Sequence, residues 1–338
     1  MTLITINPRD KTPKYQQIIR CIVNGIEKGI LERNQPLPSI NEVSEAHDLA
    51  RDTVERAYHE LKKRGVIGAV RGKGYFVIGI AEAKLRVLLV LNKLSAYKKI
   101  IYYSFLETLG DKAVVDLHVH HYNAFLFKNI IEENLGKYHF YVVMPHFFED
   151  VDKVNLKAVF QKIPTDELVL MDKDFAGIEG DYLAVYQDFE RDIFAALESG
   201  RHLLDKYRRL AFVFPGDAHY PPELLKGFKY FCIVHGKPYR ILETMQHETP
   251  EPGTAYIVIE ESDLVEVIRK AKANNLALGS DIGIISFNDT PLKEILAEGI
   301  TVISTDFVRM GSTTAQLMLD KKRVKLKNPF SLIERKSL

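Results

Sequence analysis

Leu37-Pro-Ser-Ile-Asn-Glu-Val-Ser-Glu-Ala-His-Asp-Leu-Ala-Arg-Asp-Thr-Val-Glu-Arg-Ala-Tyr58 holds two helical patterns separated by a tight turn. Ser39 stands where an N-cap is needed, and Glu42 three residues later completes an S-x-x-E capping box that starts a first helix. Val43 and Ala46 give that helix an apolar face. The pattern breaks at Asp48-Leu49. From Arg51 a second helix takes over, in which Val54, Ala57, Tyr58 and Leu61 recur at three- and four-residue steps. Its other face presents Arg51, Asp52, Thr53 and Arg56, side chains that a helix in the major groove offers to phosphates and base edges. The spacing therefore predicts a helix-turn-helix.

The residues beyond Leu61 sharpen this reading. Gly65 ends the second helix after the basic run Lys62-Lys63-Arg64. Val66 to Val70 and Tyr75 to Ile78 then read as two short strands around Arg71-Gly72-Lys73-Gly74, a hairpin with a cationic, glycine-rich tip. Glycine lets backbone approach a phosphate or enter a narrow minor groove, and Arg71 and Lys73 bring charge to it. Upstream, Met1 to Lys11 reads as a short arm. A helix runs from near Pro13 to about Gly29, with Ile18, Ile19, Ile22, Val23 and Ile26 on one face. Together these pieces make a winged helix-turn-helix head.

Charge and composition agree. Residues 1–80 carry 13 Lys+Arg against 9 Asp+Glu, and the remainder carries 33 against 36. That is a mildly basic head on a mildly acidic body. No run of 18 apolar residues suggests a membrane span, and no basic-then-apolar start suggests a secretory signal. Cys21 and Cys232 are too few for a disulfide framework or a cysteine metal site, as suits a reducing cytoplasm.

Beyond a short linker at 80–85, which is too poor in glycine and proline to act as a slack tether, the pattern becomes strands alternating with helices. Apolar runs at 86–91, 141–144, 168–171, 183–186, 210–214, 256–259 and 282–287 read as buried parallel strands. Amphipathic segments at 98–109, 124–135, 189–207, 222–234 and 263–274 lie between them. The expected architecture is an α+β winged helix-turn-helix head (1–79) followed by an α/β body (86–338) of two lobes with a cleft between them. In such sheets, ligands bind beyond the carboxyl ends of the strands.

Residues 13–78 resemble the GntR family of bacterial transcription regulators, through Leu37-Pro38-Ser39, Arg51-Asp-Thr53-Val54-Glu-Arg56-Ala57 and Gly72-Lys73-Gly74-Tyr75-Phe76-Val77. Ile40-Asn41 and Glu55 depart from the family's usual Glu-Arg and second basic residue, which bears on operator sequence. The body is similar to LacI-type, periplasmic-binding-protein-like effector domains. Its landmarks are Val185-Tyr-Gln-Asp188-Phe-Glu-Arg191, Pro222 to Phe228, Ile282-Gly-Ile-Ile-Ser-Phe-Asn288-Asp289-Thr-Pro-Leu292 and Thr301 through Met310-Gly311. Such combinations resemble arabinose and fucose repressors. The resemblance implies a cytoplasmic, homodimeric repressor of a carbohydrate-utilisation operon, with operator DNA and a sugar effector as partners, no membrane partner and no cofactor. Contacts to DNA are expected from Ser39, Asn41, Arg51, Thr53, Arg56, Arg71, Gly72, Lys73 and Gly74.

Planar bidentate groups match vicinal hydroxyls, and Asp188, Arg191, Asn288 and Asp289 fall at strand ends. The resemblance places Asp188 and Arg191 on the sugar from one lobe and Asp289 from the other, with Tyr97 or Tyr220 stacking on its apolar face. Without the resemblance, Asp188 equally caps the helix from Phe189, and Arg191 is a solvated helix residue. Asp116, His118 and His120 alternate along an apparent strand. They are read as a solvent- or cleft-facing edge, although one shared face is also a metal-binding pattern. A non-sugar metabolite remains an alternative effector. A pyridoxal-phosphate enzyme body would need a longer chain and a Schiff-base lysine in a fitting context, and no P-loop, G-x-S-x-G or H-E-x-x-H motif suggests catalysis.

Overall fold

A computed structural model describes residues 4–7, 10, 12–27, 30–70, 72, 74–78, 84–148, 155–216 and 220–338. The chain divides into two compact units, Met1–Leu85 and Arg86–Leu338. The linker expected at 80–85 lies outside the described residues except for Lys84 and Leu85.

In the first unit, helix α1 (Lys14–Glu27) buries Ile18, Ile19 and Ile22 against the two helices of the motif, α2 (Ile40–His47) and α3 (Arg51–Lys63). The capping box forms in both directions: Glu42 N–H donates to Ser39 Oγ at 3.2 Å, and Ser39 N–H donates to Glu42 Oε2 at 2.6 Å. Asp48 ends α2 in the left-handed region at φ 49°. Val43 is buried, but Ala46 is exposed; Ile40 and Leu49 join the core instead, because an eight-residue helix turns only a narrow stripe inward. Along α3, Val54, Ala57, Tyr58 and Leu61 are all fully buried. Its end closes through Gly65 at φ 71°, with Gly65 N–H donating to Lys62 O and Val66 N–H to Leu61 O. Strands β1 (Ile67–Val70) and β2 (Gly74–Val77) pair antiparallel, Val70 opposite Gly74.

The second unit holds two six-stranded sheets. The first contains β3 (Leu85–Leu91), β4 (Ala113–Val119), β5 (Phe140–Val143), β6 (Leu168–Asp172), β7 (Leu183–Tyr186) and β13 (Lys325–Lys327), in the order β4-β3-β5-β6-β7-β13. The second contains β8 (Arg209–Val213), β9 (Tyr239–Leu242), β10 (Thr254–Val258), β11 (Ile282–Phe287), β12 (Thr301–Thr305) and β14 (Phe330–Ile333), in the order β9-β8-β10-β11-β12-β14. Both follow one doubly wound plan; β14 runs antiparallel to β12. The central strands are buried on both faces, which is why they read as continuous apolar runs.

Helices α4 (Ala96–Leu109), α5 (Ala124–Asn134) and α6 (Leu156–Phe160) follow the strands of the first sheet. Helices α7 (Phe189–Ser199), α8 (Arg201–Leu204), α9 (Glu223–Val234), α10 (Glu261–Ala273) and α11 (Pro291–Ile295) follow β7 or the strands of the second. The single helix expected at 189–207 is broken at Gly200, where a Cβ would come within 2.6 Å of Leu332. Helix α12 (Phe307–Leu319) leaves the second sheet after β12 and packs back on α4 and on β6 and β7. The chain thus passes between lobes three times: at Gln187-Asp188, at Thr305-Asp306 and at Asn328-Pro329.

Candidate functional site

The head presents an exposed polar face on α3. Arg51 and Arg56 are exposed and Thr53 half-buried, at steps that keep them off the buried Val54–Leu61 stripe. Tyr15 of α1 holds Arg56, whose guanidinium carbon lies 4.1 Å from the ring centroid. Such cation–π contact fixes direction while leaving the planar donors exposed. Ser39 and Asn41 are exposed at the start of α2; the Ser39 oxygen is committed to the cap, while its hydroxyl hydrogen remains a donor. Tyr58 O–H donates to Pro38 O at 2.7 Å and meets the Tyr75 ring edge-on, seating the hairpin against α3. At the hairpin tip, Gly72 and Gly74 adopt φ of 80° and 82° with open space where a side chain would stand. Arg71 and Lys73 lie outside the described residues.

In the body, a cleft opens at the carboxyl ends of the strands of both sheets, enclosing about 630 Å³ of space, part of it open to solvent. The first lobe contributes Asn92, Lys93, Tyr97, Lys98, Tyr122, His146, Asp172 and Gln187. Tyr220, Ile259, Phe287 and Asn288 face them from the second lobe, with Phe189 and Phe307 beside the crossovers. Such a mixture of aromatic walls and a few convergent polar groups is what small-ligand sites present.

Asp172 is the hub of the first lobe. It ends β6 at φ 76° and is 3% exposed. Lys98 Nζ donates to it at 2.5 Å, His146 Nε2 at 2.6 Å and Gln187 Nε2 at 2.6 Å. Burial alone would raise its carboxyl pKa, but the Lys98 ammonium and the His146 donor outweigh that and hold it well below the usual carboxylate range. Burial pushes His146 down, so it is the neutral imidazole, with its proton on Nε2, that faces the carboxylate. Asp172 only accepts, which fixes the Gln187 amide and leaves its Oε1 buried without a partner in a residue that lines the cleft. Asn92 Oδ1 and Asn288 Oδ1 are likewise buried without a partner.

The aromatic groups are held in place. Tyr97 stacks on Phe307, centroids 5.3 Å apart and planes 23° apart. Its hydroxyl lies 3.5 Å from Glu261 Oε1 and 3.4 Å from Lys293 Nζ, both of the opposite lobe. Tyr220 O–H donates to Glu260 Oε1. Burial, reinforced by Glu261 and Glu260 respectively, raises the hydroxyls of Tyr97 and Tyr220, and burial pushes Tyr122 up to about 12. All three therefore stay protonated at neutral pH. Lys293, itself buried, donates to Phe287 O and Asn288 O and pins the strand end that carries Asn288; burial brings its pKa down to about 8.

Three of the residues expected at the sugar do line the cleft: Tyr97, Tyr220 and Asn288. Asp188, Arg191 and Asp289 do not, and each has another task. Asp188 caps α7, accepting from Arg191 N–H at 3.3 Å. The Arg191 side chain is 83% exposed and reaches back to Asp188 at 3.6 Å. Asp289 takes a bidentate pair of bonds from Arg335, at 2.9 and 2.8 Å. Asn92, Lys98, His146, Asp172 and Gln187 escape a reading of the sequence because they come from four separate strand ends; Asp172 alone carries a visible signal, as a charge closing an apolar run. The Asp116, His118 and His120 pattern disperses. Asp116 accepts from Tyr138 O–H, while His120 is buried against Phe127 and Phe147 with Nε2 at Met144 O. Among the described residues, no cluster of three potential ligands is placed for a metal ion.

The fold and the two sites define a two-part protein: a helix-turn-helix head that exposes Arg51 and Arg56, and a body with an interlobe cleft. Residues 14–77 match the family model for bacterial regulatory proteins of the gntR family, and residues 201–338 match that for a periplasmic binding protein-like domain. The chain thus joins a GntR-family head to a periplasmic-binding-protein-like body. The HTH-type transcriptional repressor YtrA of Bacillus subtilis is 36% identical over 83 residues, 25% of this chain and 64% of YtrA. The chain spans less than two thirds of the length of the curated relatives it matches. Solved structures share the body's fold. A ribose-bound LacI family regulator from Enterococcus faecalis V583 has a TM-score of 0.57 at 18% identity, covering 75% of this chain and 98% of its own. The lac repressor dimer bound to operator and an anti-inducer has a TM-score of 0.58 at 17% identity, covering 75% and 94%.

Proposed function

We propose that this protein is a DNA-binding transcriptional regulator, acting as a repressor in the cytoplasm and controlled by a sugar in the interlobe cleft, rather than an enzyme. The carrying observation is that one chain holds both a face with exposed Arg51 and Arg56 flanking half-buried Thr53 on a GntR-type second helix and a cleft of amides, tyrosines and phenylalanines. Arg51, Thr53 and Arg56 enter the major groove, Ser39 and Asn41 meet the adjoining backbone, and the Arg71-Gly72-Lys73-Gly74 tip follows the backbone or minor groove. A homodimer sets two heads on the half-sites of a pseudo-palindromic operator. Amide groups hold ring hydroxyls while aromatic faces cover the apolar side of a pentose or deoxyhexose such as arabinose or fucose. A sugar that prefers one arrangement of the lobes shifts operator affinity by its differential affinity for the two states.

The test has two arms. Replacing Arg51 and Arg56 with Ala abolishes operator retardation and leaves sugar affinity unchanged; undiminished retardation would contradict the assigned helix. A calorimetric panel of pentoses, deoxyhexoses and their phosphates yields a binder whose heat disappears in Asn92→Ala. A panel without a binder turns the assignment toward a non-sugar metabolite.

A further inference from the structure

The polar groups of the cleft differ in what they leave unsatisfied. Lys98 is spent on Asp172, and Asp172 is spent on Lys98, His146 and Gln187. Lys93 is not spent. It lies on the loop after β3, half-buried, with Nζ 5.9 Å from the Tyr122 ring centroid and 5.8 Å from that of Tyr220. Among the described residues no carboxylate comes within ion-pair distance of it, and the carboxylate behind Tyr220, that of Glu260, accepts from the tyrosine hydroxyl. Two aromatic faces from opposite lobes aim this ammonium without neutralising it.

Around Lys93 the cleft offers acceptors. Asn92 is 3% and Gln187 8% exposed, and both line the cleft with a buried amide oxygen left without a partner, as does Asn288 from the other lobe. Buried acceptors of this kind are costly unless a donor meets them, and hydroxyls are such donors. The complement of the cleft is therefore a molecule with several hydroxyls and one negative charge.

We infer that the effector is an anionic sugar, its hydroxyls donating to the amides of Asn92, Gln187 and Asn288 and its carboxylate or phosphate meeting the Lys93 ammonium. This rests on the reading of the body as a sugar sensor and narrows it. A lysine is a compact point charge that suits either anion, so aldonic or uronic acids and sugar phosphate esters share the assignment.

Calorimetry on the full chain decides it, with matched sets: pentoses and hexoses, their aldonic and uronic acids, their monophosphates, and inorganic phosphate alone. The charged member of one set is expected to bind at least about tenfold more tightly than its neutral parent. Lys93→Met, checked for native circular dichroism, is expected to lose that advantage by roughly 10- to 100-fold, and Lys93→Arg to keep it. The acid and ester arms tell carboxylate from phosphate. A neutral sugar that binds as tightly as its charged partners, or a charge preference that survives Lys93→Met, overturns the inference while leaving the sugar sensor intact. Absence of binding by every neutral and charged sugar overturns both. If Lys93→Met does not fold, the matched sets on the unaltered protein still separate these outcomes.

Discussion

Asp172 gathers three donors on the first lobe's side of the cleft. Three donors converge on one buried carboxylate, so its removal leaves Lys98 charged and unpaired in the interior. Asp172→Asn is expected to destabilise the body by about 3–5 kcal/mol, read as a lower urea midpoint. The pH dependence comes from the same pair. Because the carboxyl is held below its usual range when folded, its contribution is present above the unfolded value and is lost as pH falls through the folded one. Unfolding titrations from neutral pH down to about pH 3 should show a falling midpoint that is shallower in Asp172→Asn. At this scale, the sequence names Asp188, Arg191 and Asp289 as candidate ligand groups without naming their partners, because residue type and spacing identify a carboxylate but not what it meets. The helix starting at Phe189 and the distant Arg335 settle where those carboxylates point.

Elements are more legible than side chains. The capping box at Ser39-Glu42, the left-handed Asp48 and the Gly65 terminator are local devices whose residues lie within a few positions of the backbone groups they satisfy. Ser39→Ala is accordingly expected to cost the head about 1 kcal/mol, measurable in its thermal transition. The seam between α4 and α12 is not legible, since the two helices are some two hundred residues apart. Gly311 lies there against backbone: a Cβ at this position would stand 2.4 Å from Ile101 O and 3.0 Å from Phe105 N. Neither atom can move without its helix. Gly311→Ala is expected to push α12 off α4 and to destabilise by about 1–3 kcal/mol in denaturant titration. Strands β9, β13 and β14 also escape prediction; they are short edge strands with exposed residues, without the apolar run that marks a buried neighbour.

Across the whole body, three chain crossings join two sheets of one strand order, and Asn328 ties them together. Its N–H donates to Tyr186 O at 2.8 Å, and its Nδ2 donates to Thr305 Oγ1 at 2.8 Å and Asp306 O at 2.9 Å, in a site 2% exposed. One side chain therefore couples the segments about which the lobes would have to move. Asn328→Ala removes the two bonds its amide gives to Thr305 Oγ1 and Asp306 O, which keep only their bonds to Pro329 O and from Met310 N–H, and is expected to cost about 1–3 kcal/mol. Hydrogen exchange should quicken first at Asp306 and Asn328, whose amides bridge the crossings, before the central strands respond; uniform exchange would argue against a localised clasp.

The sequence by itself determined the winged head, the alternation of buried strands with helices, and the division into head and body, because these rest on periodicities and caps that act over a few residues. Only the tertiary structure decided which polar side chains meet. The cleft gathers Asn92, Lys93, His146, Asp172, Gln187 and Asn288 from strand ends scattered along the chain. A carboxylate's charge and a lysine's availability depend on neighbours brought from those distances, and no local pattern encodes them.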